Sequence, residues 1–406
     1  MYRKYYLKDV LEQSNKKLFT HISTFTGGGG SSVGVKLAGG NTLLVNEFVE
    51  EAVKTYQDNF NNANVILGDI KEQSGQDFLD KAGIKKGELD LLEGSPPCSA
   101  FSVCGSVTYN KDDSKPVSLF DDDADYFIEA DSKTINDRMG WNKTKTYSDG
   151  KQVENIEDLF FEFIRIANDI QPKVIIAENV AGLTIGESKK YLNKILNEFE
   201  KIGYLVTYKV VNSIDYGVAQ ARKRVIFLAI RNDIADEKHI NQFNIAHIYP
   251  EPISKPLTLQ DVIGTMQYGE VWKHGEQKWM QHLMRRKTYQ NTVPFINEIV
   301  EIQKVDDNYH KFSSVIPGGN KYFSYYVLSM SKHTPTLTQV GLQAANFIHP
   351  SGKRPLSIQE ALRLMGLPED YKLTGTPNQK FERLGRMVTP PIYEQLCKNI
   401  YETILK

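Results

Sequence analysis

The stretch "LFTHISTFTGGGGSSVGVKLAGGNTLLVNEF" (Leu18–Phe48) decides how the chain folds. "LFTHISTF" has the apolar, β-branched character of a strand, four glycines follow, and "SVGVKLAGG" reads as a short helix ended by glycine. "NTLLVNEF" is then a second strand. The glycines stand where backbone must turn sharply and approach a ligand closely. Alone, a glycine run is weak evidence, because many flexible loops have one. Glu47 strengthens it: it closes the second strand 20 residues after Gly27, where a carboxylate is placed to accept from ribose hydroxyls.

The same rhythm continues outward. A helix through "EEAVKTYQDNF", a strand "NVILGDI", a helix over 74–82 and a strand "LDLLEG" come next. Beyond position 155, the helices "IEDLFFEFIRIAND" and "SKKYLNKILNEFEKIG" alternate with the strands "KVIIAENV" and "YLVTYKVV", and "RVIFLAI" reads as a final strand. Apolar strands alternating with amphipathic helices predict an α/β, Rossmann-like fold, with a mainly parallel sheet covered on both faces and ligands at the carboxyl ends of its strands. Asp69 ends the third strand, placed to take an adenine amino group. Three strand ends therefore agree on an adenosine-like cofactor.

Two segments break the rhythm. Residues 105–155 are polar, with "FDDDADYF" inside, and read as an insertion or extended active-site loop. Residues 231–325 carry the basic and aromatic mixture "VWKHGEQKWMQHLMRRKTYQ" and read as a second, smaller domain. The expected organisation is thus a lead-in over 1–17, a catalytic and cofactor-binding domain over 18–230, the smaller domain over 231–325, and a junction with C-terminal helices over 326–406.

Composition sets bounds. The chain has 406 residues, 40% of them hydrophobic, enough for a large core. Its three cysteines, Cys98, Cys104 and Cys397, have no metal-ligand spacing, so no metal is expected. With no secretory leader, they point to a reducing, cytoplasmic setting. No apolar run nears the roughly 18 residues of a membrane span. A net charge of −1 means that any nucleic-acid surface must be a local patch.

The chemistry lies in "LLEGSPPCSAFS" (Leu91–Ser102). Two prolines before Cys98 remove backbone donors and fix φ, so the thiol sits in a stiff loop. The fifth strand ends in "AENV", where Glu178 can face Cys98 across the sheet's rim. A thiolate is a nucleophile, and a carboxyl desolvated at the end of an apolar strand can donate a proton near neutral pH. Cys98 alone suits a buried structural thiol; with Glu178 and the glycine loop, the nucleophile reading prevails.

These pieces, with "GDI", "EDLFFEFIRI", "DYGVAQARKRVIFLAIR", "RPLSIQEALRLMGLPEDY" and "RLGRMVTPP", resemble in order a cytosine-C5 DNA methyltransferase of the bacterial or phage type, over nearly the whole chain. The resemblance implies S-adenosylmethionine at Phe25, Thr26, Gly27, Gly29, Glu47, Phe48, Asp69, Ile70 and Pro96, with Leu159 and Phe160 nearby and Arg386 and Val388 from the C-terminal motif. It implies Cys98 as nucleophile, Glu178 as proton donor to N3 of a flipped cytosine, Arg224 as a contact to that base, and Gln220 and Arg222 as supports of the active-site loop. Residues 231–325 would be the target-recognition domain. Duplex DNA is the implied partner, contacted by Ser102, Lys273, Lys278, Arg285, Arg286 and Arg354. A monomer fits, and a cognate restriction endonuclease is a potential partner.

The pattern departs at several positions. Ser23 and Thr26 replace the usual aspartate and alanine, and Ser99 replaces the usual glutamine. Arg386 stands where the family has asparagine, near the transferable group. A fixed cation beside a sulfonium is unfavourable unless an anion lies between, so carboxy-S-adenosylmethionine is an alternative donor, giving carboxymethylcytosine. In the bland alternative, Arg386 turns away to a carboxylate or a DNA phosphate. Rival readings are a tRNA cytosine-5 methyltransferase, a catalytically silent DNA-binding relative, and a dehydrogenase, which leaves Cys98 and "AENV" unused.

Overall fold

The computed structural model describes residues 2–61, 63–97, 158–186, 188–253, 255–303, 324–339, 342 and 346–406, and the backbone of 145–146, 152–153 and 310–313. Cys98, Ser99, Ser102, Cys104 and most of the 105–155 insertion lie outside the described residues. The strands are β1 Phe19–Thr24, β2 Gly40–Glu47, β3 Val65–Leu67, β4 Leu91–Gly94, β5 Val174–Val180, β6 Tyr204–Asn212 and β7 Lys223–Arg231. They form a mixed seven-stranded sheet in the order β3-β2-β1-β4-β5-β7-β6. The expected alternation of strand and helix is present throughout.

By compactness the chain divides into two units: residues 1–67, 211–223 and 247–406, and residues 68–210 and 224–246. In the first, β1 pairs parallel with β2 and β2 with β3. α1 (Leu7–Ser14) lies in the expected lead-in, α2 (Gly30–Leu37) follows the glycine loop, and α3 (Glu50–Asn59) follows β2. The 231–325 stretch contributes α7 (Gln277–Met284) and α8 (Val293–Gln303), where Leu283, Tyr289, Ile296 and Ile299 cluster with Val327 and Ile348. A three-stranded sheet follows, of β8 (His310–Ser313), β9 (Ser324–Val327) and β10 (Phe347–Ile348). The chain ends in α9 (Ile358–Leu364), α10 (Pro377–Arg386) and α11 (Pro390–Ile400). Ser357 with Glu360, and Thr376 with Gln379, form capping boxes that start α9 and α10. α11 packs on α2 at Gly34, where a Cβ would lie 2.6 Å from Tyr393 Cβ and collide with the Pro390 carbonyl.

The second unit contains α4 (Gly75–Ala82), α5 (Leu159–Ile170) and α6 (Ser188–Lys201) with the remaining strands. β4 pairs parallel with β5, but β7 pairs antiparallel with it, from Val174 opposite Ile230 to Val180 opposite Arg224. β5 and β7 are buried over most of their length around the apolar runs Val174–Ala177 and Val225–Ile230, whereas β6 is only partly covered, with Tyr208 and Val210 exposed, as befits the sheet's edge. Phe160, fully buried, meets Phe163, Phe199 and Phe227 edge-on at centroid distances of 5.4–6.3 Å and fixes α5 to its neighbours.

His21 on β1 is fully buried, its Nδ1 3.1 Å from Thr42 Oγ1. Burial, then the nearby Lys36 cation, lowers its pKa from 6.5 to about 3. A folded-state pKa below the unfolded value means that this group's stabilisation is complete above pH 6.5 and is lost as pH falls toward 3. From this residue alone, stability should drop by about 2 kcal/mol between pH 7 and pH 5. Urea midpoints across that range will show the drop, and a His21→Gln variant should show a flatter profile.

Candidate active site

Within the first unit, the glycine loop is fixed from both sides. Glu47 is buried, and its carboxylate accepts three backbone N–H groups: Gly27 at 2.6 Å, Phe48 at 2.8 Å and Val49 at 2.9 Å. Burial raises its pKa above the ordinary carboxyl value, opposed by these donors and by Arg386. Phe25 adopts φ 51°, a left-handed conformation uncommon for a non-glycine residue, and Gly27 and Gly29 follow at 55° and 83°. Thr26 and Ser23, the two departures from the family pattern, meet each other: Thr26 Oγ1 lies 3.0 Å from Ser23 Oγ. Each substitution thus gives the other a partner.

The four glycines are glycine for different reasons. A Cβ at Gly29 would come within 2.7 Å of Tyr371 Oη; one at Gly28 would meet the tip of Met387, and one at Gly30 the carbonyl oxygen of Val388. The chain's own C-terminal segment therefore excludes a side chain at Gly29 and Gly30, whereas at Gly28 the obstacle is the movable end of Met387. Among the described residues, a Cβ at Gly27 would meet only Phe25 O, at 3.9 Å, so that face of the loop is open to them. The sequence expectation of a ribose site rests on these two residues, Gly27 and Glu47.

Arg386, half-buried at the end of α10, has two partners: its Nε donates to Gln339 Oε1 at 2.8 Å, and Nη2 pairs with Glu382 at 2.6 Å. Gln220 is wholly buried, donating to Leu364 O at 3.1 Å and accepting from Leu337 N at 3.0 Å. Arg222, 1% exposed, donates to Leu337 O at 3.4 Å and Gly385 O at 3.1 Å. Both hold the 217–223 loop to the C-terminal segment.

In the second unit, Glu178 and Arg224 form a buried ion pair, Nε to Oε1 at 2.8 Å. The antiparallel register causes it: Arg224 faces Val180, so its side chain leans diagonally onto Glu178 on the same face. Burial lowers the Arg224 pKa, and Glu178 opposes that shift. Next in line, Asn179 Nδ2 donates to Pro96 O at 3.2 Å, while its Oδ1 accepts from Val180 N at 2.7 Å. Asn179 therefore ties β5 to the proline pair preceding Cys98. The sequence reading passed over it, although an asparagine straight after a carboxylate at the end of an apolar strand is a legible signal. Asp69 caps the turn Ile70–Glu72, accepting from Lys71 N at 3.0 Å. Arg165, also passed over, braces that turn by donating to Ile70 O and Gln73 O, both at 2.9 Å. Ile70, Leu159 and Pro96 are buried.

The basic residues fall into two groups. Lys278, Arg285 and Arg286 are exposed along and after α7. Lys273 donates to Glu369 O at 2.7 Å, and Arg354 makes a two-pronged bridge to the buried Glu360 at 2.7 and 2.8 Å while lying 5.5 Å over Trp272. Those two are occupied within the fold. Trp279 packs on Phe381 at 5.4 Å.

A Rossmann-like sheet with a glycine loop on its first strand and a buried Glu–Arg pair on its fifth defines a nucleotide-cofactor enzyme of the α/β class. The family model for C-5 cytosine-specific DNA methylase matches residues 19–132 and 144–402, and the chain belongs to that family: it is a DNA cytosine-C5 methyltransferase. Among characterised proteins it is 27% identical over 378 residues to the Type II methyltransferase M.Eco47II of Escherichia coli, covering 92% of this chain and 76% of that one. It is 25% identical to M.NgoMIV of Neisseria gonorrhoeae, covering 96% and 99%. Its fold matches, with a TM-score of 0.61 and 18% identity, the structure of a candidate DNA modification methyltransferase encoded within an E. coli prophage, covering 96% and 100%. Among the described residues, no helix is long and apolar enough to cross a membrane.

The glycine contacts make a graded prediction. Gly30→Ala drives a methyl into a backbone carbonyl and should cost about 1–3 kcal/mol. Gly28→Ala meets only the flexible end of Met387 and should cost under roughly 1 kcal/mol. Denaturant midpoints of the two variants test the order.

Proposed function

We propose that the chain methylates C5 of a flipped cytosine in duplex DNA through a covalent Cys98 adduct, with S-adenosylmethionine as donor. The observation that carries this reading is the buried Glu178–Arg224 pair at the end of β5, beside an asparagine that holds the loop leading to Cys98. Cytosine C5 is a weak nucleophile. Attack of the Cys98 thiolate on C6 makes C5 enamine-like, and a proton from Glu178 to N3 offsets the charge that this addition builds. Arg224 holds Glu178 in place and takes the base's polar edge. Asn179 keeps the preceding prolines from moving, which narrows the directions the thiol samples. The cofactor supplies an electrophilic methyl; Glu47 and the open face at Gly27 bind its ribose, and Asp69 takes the adenine amino group. After transfer, loss of the C5 proton and elimination of the thiolate restore the enzyme.

The target must leave the duplex for this chemistry. Residues 231–325 supply target recognition, with Lys278, Arg285 and Arg286 meeting phosphates and setting the salt dependence of binding. The protein acts as a monomer, and the naming of its relatives as Type II methyltransferases supports a cognate restriction endonuclease as partner. Arg386 is already balanced by Glu382, which supports the ordinary methyl donor over a carboxylated one.

Nucleosides from duplex DNA treated with enzyme and S-adenosylmethionine should contain 5-methylcytosine, detected by mass spectrometry. Cys98→Ala should yield none, and Glu178→Gln should slow the reaction by about 10²–10⁴. Product from Cys98→Ala would refute the covalent route. Carboxymethylcytosine, formed when both donors are offered, would return Arg386 to donor choice.

A further inference from the structure

Tyr371 is fully buried, and its hydroxyl donates to the carbonyl oxygen of Gly28, at the centre of the glycine loop. Burial pushes its pKa up, so the phenol remains a donor at every working pH. The loop has φ 55° at Gly27 and 83° at Gly29 and carries a turn bond from Gly29 N to Thr26 O at 2.9 Å, while the Gly28 carbonyl between them is held from outside the loop by Tyr371. Tyr371 is itself positioned by the first residues of the chain. Tyr5 Oη donates to Gly366 O at 2.7 Å, Glu369 N donates to Tyr5 O at 2.9 Å, and Leu7 N donates to Asp370 Oδ1 at 2.8 Å. The strand, loop and helix that bind the cofactor therefore depend on a contact made more than 300 residues later in the chain, which in turn is braced by residues 5–7.

We propose that Tyr371 is a positioning residue for the donor, latching the Gly28 carbonyl so that the loop is set for S-adenosylmethionine before it arrives, and that Tyr5 acts through Tyr371. The latch rests on the placement of the cofactor at this loop. It touches neither the base nor the reacting atoms, so its loss should weaken donor binding and leave turnover at saturating donor nearly unchanged. An unmade hydrogen bond to a buried carbonyl corresponds to about a ten-fold loss in affinity.

The test is calorimetric titration of the full chain with S-adenosylhomocysteine, alongside KM and kcat for methyl transfer, for wild type, Tyr371→Phe, Tyr5→Phe, the double variant and Glu47→Gln. Expected is a Kd raised about ten-fold in Tyr371→Phe with kcat changed less than two-fold, a smaller rise in Tyr5→Phe, and a double variant that binds about as Tyr371→Phe alone, because Tyr5 acts through Tyr371. Tyr5→Phe keeps the question open to an answer should Tyr371→Phe fold poorly. If Tyr371→Phe lowers the melting temperature but leaves Kd unchanged while Glu47→Gln weakens binding, the tyrosine is merely structural and the latch is overturned. If Glu47→Gln also binds normally, the placement of the cofactor at this loop fails, and the latch fails with it.

Discussion

The first unit depends on one carboxylate satisfying backbone that cannot satisfy itself. Leaving β2, the chain turns at Glu47 and exposes the N–H groups of Phe48 and Val49, while Gly27 presents another from the loop after β1; Glu47 takes all three. A buried donor left unmade costs on the order of 1–3 kcal/mol, so this single side chain fixes the geometry of two strand ends at once. The arrangement constrains what can pack beneath it. Met387 and Val388 fill the space under Gly28 and Gly30, and α11 closes on α2 where Gly34 admits its backbone. The glycine loop is thus built from both ends of the sequence, and the C-terminal motif is as much a part of it as the glycines.

Buried polar groups do similar work elsewhere. Gln220 and Arg222 sit where apolar residues would pack more cheaply, and each spends its hydrogen bonds on main-chain groups more than 100 residues away. Such contacts add little net stability, yet a wrong placement of the 217–223 loop would strand several donors at once. Penalising alternatives in this way gives the segment before β7 one position. Glu178 and Arg224 follow the same logic within the second unit, each making burial of the other tolerable.

Much of this was legible in the sequence, and the exceptions have physical causes. Strands and helices follow local hydrophobic period, and the residues quoted for the twelve elements between Leu18 and Ile230 match those observed. Direction and position within a sheet do not follow period. "RVIFLAI", read as the final strand, is the last strand of the seven-stranded sheet only, since β8, β9 and β10 follow it; it runs antiparallel and lies inside the edge strand β6, because its apolar faces need cover on both sides while "VTYKVV" can face water on one. Side-chain pairings were equally hidden, even over a few residues. Arg354, in the exposed-looking run "SGKRPL", is held by Glu360, although Ser357 and Glu360 spell a capping box that places a carboxylate just downstream. Asn179 was marked by its place after Glu178, but Arg165 and Tyr371 act on backbone carbonyls, and no residue pattern marks which carbonyl needs a donor.

The charge around Arg386 can be followed one step further. Arginine replaces the family's usual asparagine there, at a position where the resemblance implies a cofactor group with a positive charge of its own. Were the cation alone, repulsion at a few ångströms in a poorly screened site would outweigh a hydrogen bond or two. It is not alone: Glu382 lies one turn earlier on α10, and Arg386 in turn acts on the buried Glu47. The neighbouring Arg383 is within the electrostatic reach of Glu47, Glu51, Glu382 and Arg386. Three carboxylates thus stand against two guanidiniums. With Glu47 ionised the group is net negative, and with Glu47 protonated it is neutral; in neither state does it present a net positive charge. The extra arginine therefore tempers an acidic cluster instead of adding a bare cation.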